Sequence, residues 1–369
     1  MSSPPAASSS ASWPVVTRHL LLHQLSFVSP GLAFLFVVTG PHVWWQGLLF
    51  LVPMVLFEIA DTYAPEETRQ PPEDMPRAPF DAMLYVLFAM QVVTVVLAAR
   101  LISQVGFFSL DGLLLLLIVP GSSGFSIITA HELIHRREAH FRMMGRIMMG
   151  LVMYEHFYTE HVRGHHLRVG TPEDPATARF GESFGAFFRR TVPAQFSSAW
   201  RLETKRLGDV DMGLFDRRIL GSRVLRGLVA EWAFAFVLFA AFGWQAFVFH
   251  LIQGVGAFAA LEVVNYFEHW GLARTPGLRV QPVDSWDTTN KFTLYGLVGL
   301  SRHADHHAFA SRPFQQLRHW EESPKLPRGY PGMIRLALFD NRGFREQMTE
   351  ALREARLGPF REEASIQSA

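Results

Sequence analysis

Nine of the sixteen histidines in this 369-residue chain stand in four short clusters. In His131-Glu132-Leu133-Ile134-His135 two imidazoles are spaced i and i+4, one face of a helix, where both can reach one metal. Glu160-His161-Val162-Arg163-Gly164-His165-His166 repeats that spacing and adds His166, offset by about 100° at helical pitch, so one short helix can serve two metals. Asn265-Tyr266-Phe267-Glu268-His269 contributes a single imidazole, and Arg302-His303-Ala304-Asp305-His306-His307 ends on another adjacent pair. One HxxxH pair is weak evidence; four clusters on one side of a membrane are hard to assign to accident. Imidazole is neutral near pH 7, suits iron, copper and zinc, and costs less near a bilayer than a carboxylate. Nine donors exceed what one ion accepts, so two ions are implied. Catalytic zinc typically takes three protein ligands, whereas open positions on iron favour O2 chemistry. Glu132, Glu160, Glu268 and Asp305 each adjoin a clustered histidine and are candidates for orienting imidazole N–H groups. Salt bridges to Arg136, Arg163 and Arg302 are the competing reading of these acids. The remaining seven, His19, His23, His42, His140, His156, His250 and His319, are scattered and are read as non-ligands, with His140 and His156 nearest to being exceptions.

The elements that must position these residues are apolar helices. The chain is 49% hydrophobic and 18% charged, with a net charge of +1 that makes no case for nucleic acid. It has no cysteine, which excludes disulfides, thiolate zinc sites and cysteine-bound iron–sulfur clusters. A spanning helix needs about 20 mostly apolar residues. Six segments meet or approach this, 20–38, 44–59, 80–99, 108–130, 228–243 and 245–264, the second and fifth being short. Lys and Arg mark cytoplasmic loops. Fifteen lie between His131 and Arg223 and fourteen after Asn265, against Arg100 alone on the opposite loops. Six spans then place both termini and all four clusters in the cytoplasm. The expected fold is an all-α integral membrane protein of about six transmembrane helices. Its membrane domain runs over 18–341, with a helical cytoplasmic cap at 131–227 and 265–341 bearing the histidine site. The Ser-, Pro- and Ala-rich residues 1–17 lack a signal peptide's basic start and are read as a tail; 342–369 is read as a polar helix and tail.

The clusters resemble the histidine boxes of the membrane-bound alkane monooxygenases, within the fatty-acid desaturase and hydroxylase superfamily. His131–His135 with Arg136 is similar to the first box, Glu160–His166 to the second and Leu300–His307 to the third. Asn265-Tyr266-Phe267-Glu268-His269-Trp270-Gly271 resembles the extra box that separates alkane monooxygenases from desaturases. The likeness extends to 171–176 and 326–330 and covers roughly 80–338. The chain departs from the family pattern at Ile134, Arg136, Trp270 and the segment Asp284-Ser285-Trp286-Asp287. The resemblance implies two non-haem iron ions held by the nine clustered histidines and O2 as oxidant. It also implies insertion of one oxygen into a terminal C–H bond, and electrons from rubredoxin or a ferredoxin with its reductase. The expected location is the inner membrane of the cell.

Three functions compete. A hydroxylase acting on an alkane or alkyl-bearing hydrocarbon is the first reading, with methyl-arene monooxygenase as a near variant. A desaturase of the same superfamily is the second, and the box around His269 argues against it. A membrane metal carrier is the third, but carriers place ionisable ligands near the bilayer midplane, and here they lie at the cytoplasmic ends of spans. The substrate partitions into lipid, so an apolar tunnel between spans is expected. Its candidate walls are Trp45, Phe57 and Phe108, with Leu113 to Leu117 and Phe234 to Phe239. A basic face around Arg163, Arg189 and Arg190 could steer an acidic electron donor, or equally pair with lipid phosphate.

Overall fold

The computed structural model describes residues 12–213 and 215–361. Among them there are helices and turns but no strand, only two isolated bridges. Six helices are long and apolar enough to cross a membrane: α1 (Trp13–Thr39), α2 (Trp44–Thr62), α3 (Ala78–Val105), α4 (Leu110–Ile134), α8 (Arg223–Phe242) and α9 (Trp244–His269). Between α4 and α8 lie α5 (Ala139–Gly150), α6 (157–168) and α7 (Phe184–Arg206). After α9 come α10 (Lys291–Gly296), α11 (His303–Ala308), α12 (Tyr330–Phe339) and α13 (Asn341–Ala355).

The spans are longer than the apolar runs suggest. Residues 1–11 of the expected tail lie outside the described residues, but α1 already begins at Trp13 with Pro14 in its first turn, a position proline tolerates. It is interrupted by a 3-10 turn at Gln24–Phe27. The C-terminal tail beyond residue 361 also lies outside. Helix α13, read as a surface element, sinks Phe344, Met348 and Leu352 into the core, with Phe344 4.8 Å from the Tyr266 ring. That i, i+4, i+8 stripe is one helical face.

Helix α4 is the centre of the molecule. Its apolar window is 61% buried against 11% for α2, so α4 is enclosed while α2 faces outward. It packs on α9, α5, α3 and α1; α9 packs in turn on α3, α8, α7 and α12. Small residues let α4 and α9 approach closely. A Cβ added at Gly124 would stand 2.7 Å from the Ala260 Cβ, and one at Gly256 would stand 2.6 Å from Pro120. Membrane helices associate largely through such small-residue contacts, because lipid gives no hydrophobic drive. This pairing brings the last turns of α4 and α9 side by side, and those turns carry His131 and His269.

Candidate metal centre

The first and third clusters ride on the ends of spans. His131 closes α4 and His135 is its C-cap; Asn265, Glu268 and His269 form the last turn of α9. The second cluster lies on α6, where His161–His165 is wound as a π-helix. The fourth is α11, whose first turn is anchored by Asp287 Oδ1 accepting from the Ala304 amide at 2.7 Å. All nine imidazoles converge in one place.

They sort into two adjoining sets. His131, His135, His161, His166 and His306 bring ring nitrogens within 4.8 Å of one another. His165, His269 and His307 do likewise, as do Glu268, His269 and His303. His161, expected to share a target with His165, instead faces His166, Nε2 to Nε2 at 3.0 Å. The wide π-turn accounts for this, because its extra residue carries His165 away towards His269. In α11 the i, i+4 pair His303 and His307 stays together at 3.0 Å, and His306 turns to the first set.

Ring nitrogens meet ring nitrogens. Nε2 of His131 is 2.8 Å from that of His161, and Nε2 of His303 is 3.2 Å from that of His269. The Nε2 atoms of His135 and His165 are buried with no hydrogen-bond partner among the described residues. Burial first, and the charge of neighbouring imidazoles second, hold His135, His161, His166, His303, His306 and His307 well below the usual histidine pKa. With their protons on Nδ1, these neutral rings turn Nε2 lone pairs toward one another, an arrangement that a cation among them stabilises. The donor set therefore fits soft-to-borderline divalent metal, iron included.

The four adjacent acids divide. Glu132 pairs with Arg136 at 2.7 Å, Glu160 with Arg168 at 2.8 Å, and Asp305 with Arg312 and the Trp320 indole. These three engage cations and backbone rather than imidazole. Glu268 is different: its Oε2 lies 3.2 Å from His303 Nε2, the nitrogen that also faces His269 and His307, and Tyr330 donates to its other oxygen. It belongs to the inner set.

Two functional residues were not singled out from sequence. Asp174 Oδ2 takes the Nδ1 side of His165 at 2.9 Å and the Thr177 hydroxyl at 2.6 Å. Burial would raise its carboxyl, yet His165 and Thr177 hold it below the usual carboxylate range. This leaves Nε2 of His165 to face the centre. Tyr330 is the other. Both lie in the 171–176 and 326–330 stretches, whose likeness to the family was the available signal. The seven scattered histidines stay out of the centre: His42 meets Asp111, His140 meets Tyr85, and His156 and His250 sit in separate buried surroundings.

An apolar cavity of about 220 Å³ runs between α4, α9 and α12 and ends on His131, His161 and His303. A second, of about 140 Å³, lies between α1, α2 and α4 and shares Gly121 and Phe125 with the first. Of the expected walls, Phe57 lines the second cavity, its ring 5.5 Å from Phe125. Trp45 and Phe108 do not, being 50% and 99% exposed. Neither do Leu113 and Leu117, which also face outward. On the proposed basic face, Arg163 and Arg190 are engaged by Glu203 and Glu182, while Arg189 is exposed.

Comparison with known proteins agrees with this geometry. A family model described as fatty acid desaturase matches residues 109–337. The chain is 42% identical to alkane 1-monooxygenase 1 of Pseudomonas aeruginosa, over 60% of this chain and 58% of that protein. It is 32% identical to alkane 1-monooxygenase 1 of Alcanivorax borkumensis over 91% of this chain and 85% of the relative. The match to alkane 1-monooxygenase of Acinetobacter baylyi is 32% identical over 89% and 81%.

Proposed function

The chain belongs to the fatty acid desaturase family, and from that membership and its nine converging imidazoles we propose that it is a membrane monooxygenase acting on hydrocarbons. It inserts one atom of O2 into a terminal C–H bond of an alkane or alkyl-bearing hydrocarbon, giving a primary alcohol; the other atom leaves as water. Rubredoxin or ferredoxin, with its reductase, supplies the two electrons. The observation that carries the reading is the apolar cavity that ends on His131, His161 and His303.

Two non-haem irons would be held here, one by His131, His135, His161, His166 and His306, the other by His165, His269, His303 and His307 with Glu268. When bound, they supply the reductive activation of O2 that an unactivated C–H bond requires. The rest is done by the chain. Apolar walls from α4 and α9 exclude water and select a hydrocarbon, and the closed end of the cavity orients its terminal carbon towards the histidines. Asp174 fixes the ring of His165, and Tyr330 fixes Glu268. The basic residues on the histidine side support placing that face and both termini in the cytoplasm of an inner membrane.

Whole cells expressing the chain, fed linear alkanes and alkyl arenes under 18O2, should yield labelled primary alcohols. His165→Ala, His269→Ala and His306→Ala should lose product and bound iron while still inserting in the membrane. Alkenes in place of alcohols, or a purified protein that holds zinc rather than about two irons per chain, would remove the hydroxylase reading.

A further inference from the structure

A third cavity, of about 420 Å³, lies away from the metal centre, between α5 and the first half of α8. It is lined by Arg146, Arg223 and Arg226, by Ile147 and Phe234, and by two carboxylates, Glu155 and Glu231. The first turn of α8 is on the same side as the end of α9, so these arginines stand level with the membrane surface. Met143 and Ile147 on α5 and Val229 and Trp232 on α8 are exposed around it, which opens the cavity towards lipid.

The charges inside are incompletely matched. Among the described residues no carboxylate lies within ion-pair distance of Arg223 or Arg226; Arg226 reaches only the Ser222 and Gly221 carbonyls, at 3.3 and 3.4 Å. Glu155 is 4% exposed, and Arg146 binds its Oε1. Its Oε2 is buried with no hydrogen-bond partner. Glu231 accepts the Glu155 amide at 2.6 Å. Gly227 is required there, since a Cβ would stand 1.9 Å from Glu155 Oε2. Burial pushes the Glu155 carboxyl up to about 7 despite Arg146, which a bound cation would relieve.

Two guanidinium groups with no carboxylate in ion-pair reach among the described residues suit a phosphate. The buried Oε2 of Glu155, the oxygen that Arg146 leaves without a partner, suits an N–H-bearing cation. An apolar slot beside both wants an acyl chain. We propose that this cavity binds a phospholipid whose headgroup carries both a phosphate and a primary ammonium, a phosphatidylethanolamine. Arg223 and Arg226 hold the phosphate and Glu155 the ammonium, while the first acyl carbons lie along Ile147 and Phe234. The site depends on the membrane setting of α8 and not on the oxygenase chemistry.

The test uses the detergent-purified full chain with lipids of identical acyl chains: phosphatidylethanolamine, phosphatidylcholine and phosphatidylglycerol. Native mass spectrometry counts bound lipid. Phosphatidylethanolamine should be retained about tenfold better than phosphatidylcholine, whose ammonium has no N–H to donate, the ratio expected for one charge-assisted hydrogen bond. R223A/R226A should weaken both lipids. E155Q should abolish the preference while leaving phosphate-dependent binding. E231Q, whose carboxylate meets a backbone amide, is the second variant should E155Q not fold, and it should reduce the preference in part. Equal retention of phosphatidylethanolamine and phosphatidylcholine overturns the proposal, as does stronger retention of phosphatidylglycerol or an undiminished preference in E155Q. Iron content in the same samples reports on the oxygenase reading separately, and it should not change.

Discussion

At the scale of single residues, the centre is made by charge that has been left out. Six of the imidazoles are held neutral by burial, and three of the four neighbouring acids are spent on arginines. The fourth, Glu268, meets His303 within the centre, and Asp174, outside those four, touches His165 from behind. By accepting from Nδ1 of His165 it selects the tautomer whose Nε2 lone pair faces inward and raises that nitrogen's basicity. Its removal should act on metal before it acts on fold. Asp174→Asn keeps shape and one acceptor but loses the charge, and should lower iron affinity about tenfold to a hundredfold, the range typical of such partners. Iron retained after dialysis against a graded chelator reads this directly. Thr177→Ala, which removes a donor to Asp174 and an acceptor for the Gly170 amide but leaves the Asp174 charge, should have the smaller effect. Iron retention in Asp174→Asn equal to that of the unaltered chain would make Asp174 a loop-folding residue only.

At the scale of elements, register between α4 and α9 brings the first and extra histidine clusters together, and Gly124 against Ala260 sets that register. Gly124→Ala puts a methyl where 2.7 Å is available, so the helices must part. Overpacking of this kind costs about 1–3 kcal/mol. The thermal midpoint in detergent should fall, and Gly124→Ala combined with Ala260→Gly should recover most of it; a double variant no better than the single would show that the contact does not set the spacing. The long apolar runs made four spans legible, because an apolar run of about 18 residues or more matches the thickness of a bilayer and few soluble helices reach it; the short second and fifth were legible from their place between the others and the count of basic residues. Their ends were not legible. Helix α2 continues to Thr62 because Asp61, which reads as a stop, is buried and bonded by Thr293 and by Asn290 at 2.7 Å. Helix α9 continues to His269 because Asn265 and Glu268 are polar yet enclosed. Helix α5 falls within the expected helical cap, but its bounds were not legible, since its buried stripe of Phe141, Gly145 and Met148 is short and follows a histidine cluster. The histidines were legible by spacing alone. Which of them face one another was not, because a π-turn is a backbone property that no residue in His161–His165 announces. Asp174 and Asp287 lie on loops and Tyr330 opens α12, positions that no periodicity marks.

At the scale of the whole molecule, the chain has to let an apolar substrate in from lipid and keep water from the histidines. The two linked cavities give it a path. One opens among α1, α2 and α4, the other ends at the imidazoles, and Gly121 and Phe125 belong to both. Phe57 lines the outer cavity, edge-on to Phe125, which borders both, at 5.5 Å and to Phe292 at 4.6 Å. With Phe57 in place, a chain entering terminal carbon first is limited by the inner cavity of about 220 Å³. Phe57→Ala removes the ring and joins the outer 140 Å³ to it, so longer chains should be accepted. Phe125→Trp should do the reverse and shorten the preferred chain. Trp45→Ala and Phe108→Ala should leave the profile unchanged, because both side chains face outward. Gas chromatography of alcohols from a mixed alkane feed gives the chain-length distribution for each variant in one experiment. The contrast between Phe57 and Trp45, two aromatic residues on one helix, is the informative part. A shift with Phe57→Ala alone locates the path inside the protein. An active Phe57→Ala enzyme with an unaltered distribution would mean that the two cavities do not serve one substrate, and entry would then have to be sought along α9 and α12 instead.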